Sequence, residues 1–266
     1  NNKDKQIDNK LSIFNNNNEL TEEFKKILIK SSNKFISYMR GENPYTFPIR
    51  LYPSINKDKN LLETTDYPTK DINNNDIQNN EQIKYLELIH TKMSSLQNDI
   101  YNTIKVDEDE ESDKVDLQQR VQVSNIIFPN KSILDNDSEL KDTFDIKNCY
   151  GKIGFDKVFN KKDDKRLKLE YKKEILDNYG EILDNTNISK YSPKIKLLID
   201  YIKKSEGIVL VYSRYIYSGI IPIAVALEHN GYKKYNNNIL TKTKSSSTTK
   251  DLGNYIVISG DSKLSP

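Results

Sequence analysis

The chain has no tryptophan, one cysteine and two histidines in 266 residues. The single Cys149 excludes an intrachain disulfide framework and fits a reducing compartment. With only His90 and His229 beside it, a metal site of histidine and cysteine ligands is not expected. No G-x-x-x-x-G-K-[ST] phosphate loop occurs; Gly151-Lys152 lacks the upstream glycine and the following hydroxyl. There is no signal-peptide pattern and no apolar run of bilayer length, so a membrane is not expected among the partners. Charge of one sign is also lacking: 41 basic and 39 acidic residues leave a net +2. Any nucleic-acid site must therefore be local. Hydrophobic residues make up 35% and the mean hydropathy is −0.76, so much of the chain is expected as loop, insert or solvated helix.

What is present is unevenly spread. Asn runs at 15–18, 73–75 and 236–238 fit the codon bias of an AT-rich genome and read as loops. Residues 1–19 are polar. Thr21 is placed to cap a helix burying Phe24, Ile27 and Leu28. Arg40 to Pro53, RGENPYTFPIRLYP, is a stiff irregular connector with aromatic anchors. Residues 54–80 read as an exposed loop. Ile83, Leu86, Ile89, Met93, Leu96, Ile100 and Ile104 recur at helical spacing and predict an amphipathic packing helix over 81–104. The acidic run Asp107–Asp113 reads as a solvated loop, because no buried strand precedes it and no phosphate loop lies upstream. Val121–Pro129 fits either a strand or a packed extended segment. Gly151 and Gly154 mark turns. Residues 162–178 predict a half-exposed helix.

The densest signal is Gly207–Gly231, GIVLVYSRYIYSGIIPIAVALEHNG. Ile208–Tyr212 is apolar, β-branched and aromatic, which predicts a strand buried on both faces of a parallel sheet. The polar turn Ser213-Arg214-Tyr215 follows. An apolar helix comes next, with Pro222 in its first turn and Gly231 at its left-handed cap. Before this unit, Ser192 and Pro193 open a helix whose stripe is Ile195, Leu198, Ile199 and Ile202. After it, residues 233–253 read as a polar loop and Tyr255–Ile258 as a second buried strand ending in Ser259-Gly260-Asp261. The expected fold class is α/β, a partial parallel sheet at the C-terminal end behind a mainly helical, loop-rich region. Ligands of such sheets gather beyond the carboxyl ends of the strands. On spacing alone, the same stretch also fits plain α/β core with a polar turn. The chain begins without Met and stops just after this second strand, so a piece of a longer protein is expected.

Four segments, FISYMRGENPYTFPIRLYP, QQRVQVSNIIFP, YSPKIKLLIDYIKKSEGIVLVYSRYIYSGIIPIAVALEHNGY and YIVISGD, together resemble the DEAD/Swi-Snf-like superfamily II helicases of the nucleocytoplasmic large DNA viruses. The resemblance runs from about residue 20 to the end. It implies that the C-terminal sheet is RecA-like. Residues 1–53 would be the exit of the first RecA-like domain and its connector, with Arg40, Asn43, Pro44, Phe47 and Pro48 in that connector. Residues 54–190 would be an inter-domain region with inserts, and 191–266 the start of the second domain. The turn after Ile208–Tyr212 and the end of YIVISGD would meet the DNA or RNA backbone through Ser213, Arg214, Tyr215, Ser218, Gly260 and Asp261. Hydroxyls and a guanidinium ahead of a helix N-terminus suit phosphates without reading bases. The resemblance further implies ATP and Mg2+ as cofactors of the whole motor and the missing flanking RecA-like segments as partners, with viral transcription machinery as a further partner. It implies a place in the viral factory of the host cytoplasm or in the virion. The motifs that hold and hydrolyse ATP are not in this chain, so it is expected to be inactive alone. The alternative is a stand-alone interaction or nucleic-acid-binding protein derived from such a helicase.

Overall fold

A computed structural model describes residues 13–15, 19–32, 54, 58–71, 75–83, 86–104, 110–131, 144–163, 166–241 and 252–265, with no side chains for 110–116. The connector residues Arg40, Asn43, Pro44, Phe47 and Pro48 lie outside the described residues. The chain divides into two bodies, Asn1–Asn56 and Lys57–Pro266.

In the first body, α1 spans Glu22–Ser32. Thr21 caps it as expected, its hydroxyl 3.4 Å from the Phe24 amide. The expected burial of Phe24, Ile27 and Leu28 does not occur; no residue of α1 is buried.

Among the described residues, the second body is mixed helix and strand with small sheets only. Its helices are α2 (Ser95–Asn102), α3 (Glu110–Asn125) and α4 (Gly151–Val158). The hairpin β1 (Phe159–Lys161) and β2 (Leu169–Tyr171) follows, then α5 (Lys173–Asn178), α6 (Ile188–Tyr191) and α7 (Pro193–Lys204). Last come α8 (Ile221–His229), β3 (Tyr232–Lys234) and β4 (Gly253–Tyr255), whose two strands pair in parallel. A parallel pair at the C-terminal end behind a helical region matches the coarse α/β expectation. The larger sheet does not form among the described residues.

α8 is the centre of the core. It is apolar on every side, which is the pattern of a helix with no solvent face. Ile221, Ala224, Val225, Ala226 and Leu227 are all buried. They share one core with Phe128, Phe155, Val158, Leu169, Ile182, Leu183, Ile188 and Ile199. Gly231 takes the left-handed cap with φ 90° and ends the helix before β3.

Several expectations fail for identifiable reasons. Among the described residues of the 81–104 stripe, only Ser95–Asn102 is helical. Ser94 caps that helix, its hydroxyl accepting from the Gln97 amide at 3.1 Å. Upstream, the backbone pairs instead with part of the 54–80 segment, Leu62 N–H to Leu88 O at 2.8 Å and His90 N–H to Asn60 O at 2.9 Å. A cap signal outranked the apolar period. The acidic run opens α3 from Glu110 rather than staying a loop. Val121–Asn125 completes α3, and only Ile126–Pro129 is the packed extended segment. Among its described residues, the 162–178 segment is helical only at α5; its Leu169 and Tyr171 are buried on β2. Gly154 is no turn: a Cβ there would lie 2.9 Å from the Phe128 ring, so it is glycine for close approach inside α4. In the 233–253 stretch, Ile239 and Leu240 are buried, and Leu240 bridges Leu169.

The largest correction concerns Ile208–Tyr212. This segment follows Gly207 (φ 87°) and stays extended, but it forms no strand. Ile208 is fully exposed, and Leu210 and Tyr212 are 94% and 87% exposed. Its backbone makes no hydrogen bond among the described residues. The expected second buried strand, Tyr255–Ile258, does not form as such: only its first residue lies in a strand. β4 covers Gly253–Tyr255, Val257 is buried, and Ile256 and Ile258 are exposed. The two apolar segments do not pair; β4 pairs with β3 instead. A strand needs hydrogen-bonding neighbours and cover on its faces, and apolar composition supplies neither.

Candidate nucleic-acid interface

The interface is built from α7, the extended segment, the turn and α8. Ser192 starts α7: its hydroxyl accepts from Ile195 N–H at 3.1 Å and donates to Asn125 O at 2.5 Å. That second bond ties α7 to the end of α3. Val209 and Val211 then lie over a groove of about 350 Å³, lined on the helix side by Lys194, Leu198, Gly219 and Ile223. One face of the segment thus has partial helix cover and the other has none.

At the turn, Ser213 faces inward. Its hydroxyl accepts from Tyr215 N–H at 3.3 Å and lies 3.2 Å from Tyr215 O. Arg214 is exposed, with no hydrogen bond or ion pair among the described residues. Tyr215 is half-buried. A single π-turn over Ile216–Ile220 follows, with Ser218 out of helical geometry at φ −100°, ψ 19°. Such turns cluster at functional sites.

Ser218 is fully buried. Its hydroxyl accepts from Gly151 N–H at 2.7 Å and donates to Gln122 Oε1 at 3.2 Å. It joins α3, α4 and the π-turn and faces no solvent. The helix N-terminus behind the turn is also closed. Ile220 N–H bonds Tyr215 O at 2.9 Å, and Ile221 N–H bonds Ile216 O, so the first amides of α8 are satisfied. The groups presented to solvent at this corner are therefore Arg214 and part of Tyr215.

Gly260 is in open space, and Asp261 opens a turn in which its Oδ1 accepts from Lys263 N–H at 2.9 Å. No hydrogen bond among the described residues joins 213–218 to 259–261.

Sequence reasoning missed Gln122 and Gly151 as anchors of the corner. Ser218 reads the same in sequence whether it faces solvent or the core. Lys161 was missed too; its ammonium lies 5.4 Å from the centre of the Tyr217 ring. Cys149 is buried, which pushes its thiol up to about 12 and makes it a poor nucleophile. Gly151 N–H is held by the Ser218 hydroxyl. No protein family, curated protein or solved structure matches the chain.

Proposed function

We propose that this chain contributes nucleic-acid backbone contacts and domain coupling to an ATP-dependent superfamily II helicase or translocase of a large DNA virus, without hydrolysing ATP itself. The wording of the four segments supports the family. The observation that carries the site is the exposed, unpaired Arg214 at the tip of an extended apolar segment. A guanidinium there meets a phosphate oxygen as a forked donor and ignores the base. The bare Ile208–Leu210–Tyr212 face supports the reading in a second way, since a sheet supplied by flanking RecA-like segments would cover it. ATP and Mg2+ would then be held by those segments, whose motifs this chain lacks.

The test is binding of a labelled single-stranded oligonucleotide over a salt series. Binding is expected to weaken with salt, and Arg214→Ala is expected to reduce the logarithmic slope by about 0.7, the value for one phosphate contact on a single strand. A slope unchanged by Arg214→Ala removes Arg214 from the interface. ATPase turnover by the purified chain with nucleic acid present would refute the second half of the reading.

A further inference from the structure

A second cluster of cations lies away from the turn. β2 and the 238–241 segment run side by side, with Leu169 N–H bonding Ile239 O at 2.8 Å and Thr241 N–H bonding Leu169 O at 2.9 Å. Lys168 donates its ammonium to Asn238 O. The Asn238 side chain in turn accepts from Lys234 N–H at 3.1 Å, at the end of β3. Leu167 N–H bonds Lys263 O at 3.3 Å, in the turn after β4. Three segments distant in sequence thereby bring together Arg166, Lys168, Lys234 and Lys263.

The buried Glu228 carboxylate offsets this positive charge only in part, through Lys234 and Lys168. Arg166, Lys234 and Lys263 have no ion pair among the described residues. Two carboxylates on or beside these segments carry hydrogen bonds of their own. Glu228 is buried and accepts from Ile239 N–H, Leu240 N–H and the Tyr255 hydroxyl. Asp261 Oδ1 accepts the Lys263 amide. Burial first pushes the Lys234 ammonium down; Glu228 opposes, and Lys168 and Arg166 push it down further. Like charges held together by backbone bonds are unfavourable until an anion joins them.

We propose that Arg166, Lys168, Lys234 and Lys263 form a second backbone-binding patch for single-stranded nucleic acid at the end of the β3–β4 pair. The patch takes its ligand class from the function proposed above but shares no residue with the Arg214 corner. A strand that meets both sites binds with more phosphate contacts than either site provides alone.

The experiment is fluorescence anisotropy of a labelled poly(dT) oligonucleotide over a sodium chloride series. It compares the full chain with Arg166→Gln/Lys234→Gln, Arg166→Lys/Lys234→Arg and Arg214→Ala. The Gln pair is expected to lower the slope by about 1.4, two single-strand contacts, and the charge-keeping pair to leave it unchanged. Arg166 is exposed and Lys234 half-buried, so unchanged thermal midpoints are the check that folding is intact. If the Gln pair lowers the slope and Arg214→Ala does not, the patch stands and the corner falls. If Arg214→Ala lowers it and the Gln pair does not, or if the unaltered chain fails to bind, the patch is refuted.

Discussion

A Cβ placed on Gly219 would lie 2.1 Å from the Ser213 hydroxyl oxygen. The turn that carries Arg214 is thus folded back onto the start of the π-turn, and only a hydrogen at position 219 allows it. Gly219→Ala is expected to destabilise the fold by about 1–3 kcal/mol through overpacking. Ser213→Ala in the same chain removes the closest atom but leaves the Ser213 Cβ at 3.1 Å. The double variant should therefore recover part of the loss, and urea denaturation of the four chains in the cycle measures it.

Ser218 and Arg214 are expected to separate stability from binding. Ser218→Ala leaves the half-buried Gly151 amide and Gln122 side chain short of a partner, which costs about 1 kcal/mol. Arg214→Ala at the exposed tip should change stability by less than about 0.5 kcal/mol. Thermal melts alongside oligonucleotide titrations check this. A Ser218→Ala chain that stays fully stable would mean that the π-turn is not anchored to α3 and α4.

Glu228 and His229 are neighbours with opposite pH signatures. Burial holds the His229 imidazole down to about 4, with Asp184 opposing. The unfolded chain then takes up a proton before the native chain does. Stability from neutral His229 is full above the ordinary histidine value and falls by roughly 3 kcal/mol as the pH drops from about 6.5 through about 4. Burial raises the Glu228 carboxyl, against the pull of the Leu240 amide, the Tyr255 hydroxyl and the Ile239 amide. Here the native state holds its proton longer, so stability falls as the pH rises through the raised value. His229→Gln should flatten the acid loss. Glu228→Gln should remove the opposing slope and, since a glutamine offers one acceptor oxygen for three donors, lower stability by about 1–3 kcal/mol. Denaturation midpoints across the acid range read both.

Amide hydrogen exchange should divide the Gly207–Gly231 stretch in two. The unpaired amides of 208–212 are expected to exchange at rates near those of an open chain, while the α8 amides open only with the whole fold. Protection of 208–212 in the isolated chain would show that they have found a pairing partner.

Local chemistry is what the sequence determined by itself. The Ser192 cap, Pro193 at the start of α7, Pro222 in the first turn of α8, the all-apolar burial of α8 and the Gly231 cap were legible because each depends on residues within one or two turns. So was the position of Arg214 in a polar turn, though not the loss of Ser218 and of the helix N-terminus from that surface. Tertiary structure decided the rest: that Ser94 starts α2, that Ser218 is turned onto Gly151 and Gln122, that β4 joins β3, and that Ile208–Tyr212 is bare. The physical reason is that apolar periodicity states a demand for cover and for hydrogen-bonding neighbours. Whether the demand is met depends on which distant segments come alongside, and a run such as Ile208–Tyr212 carries the same letters in either case.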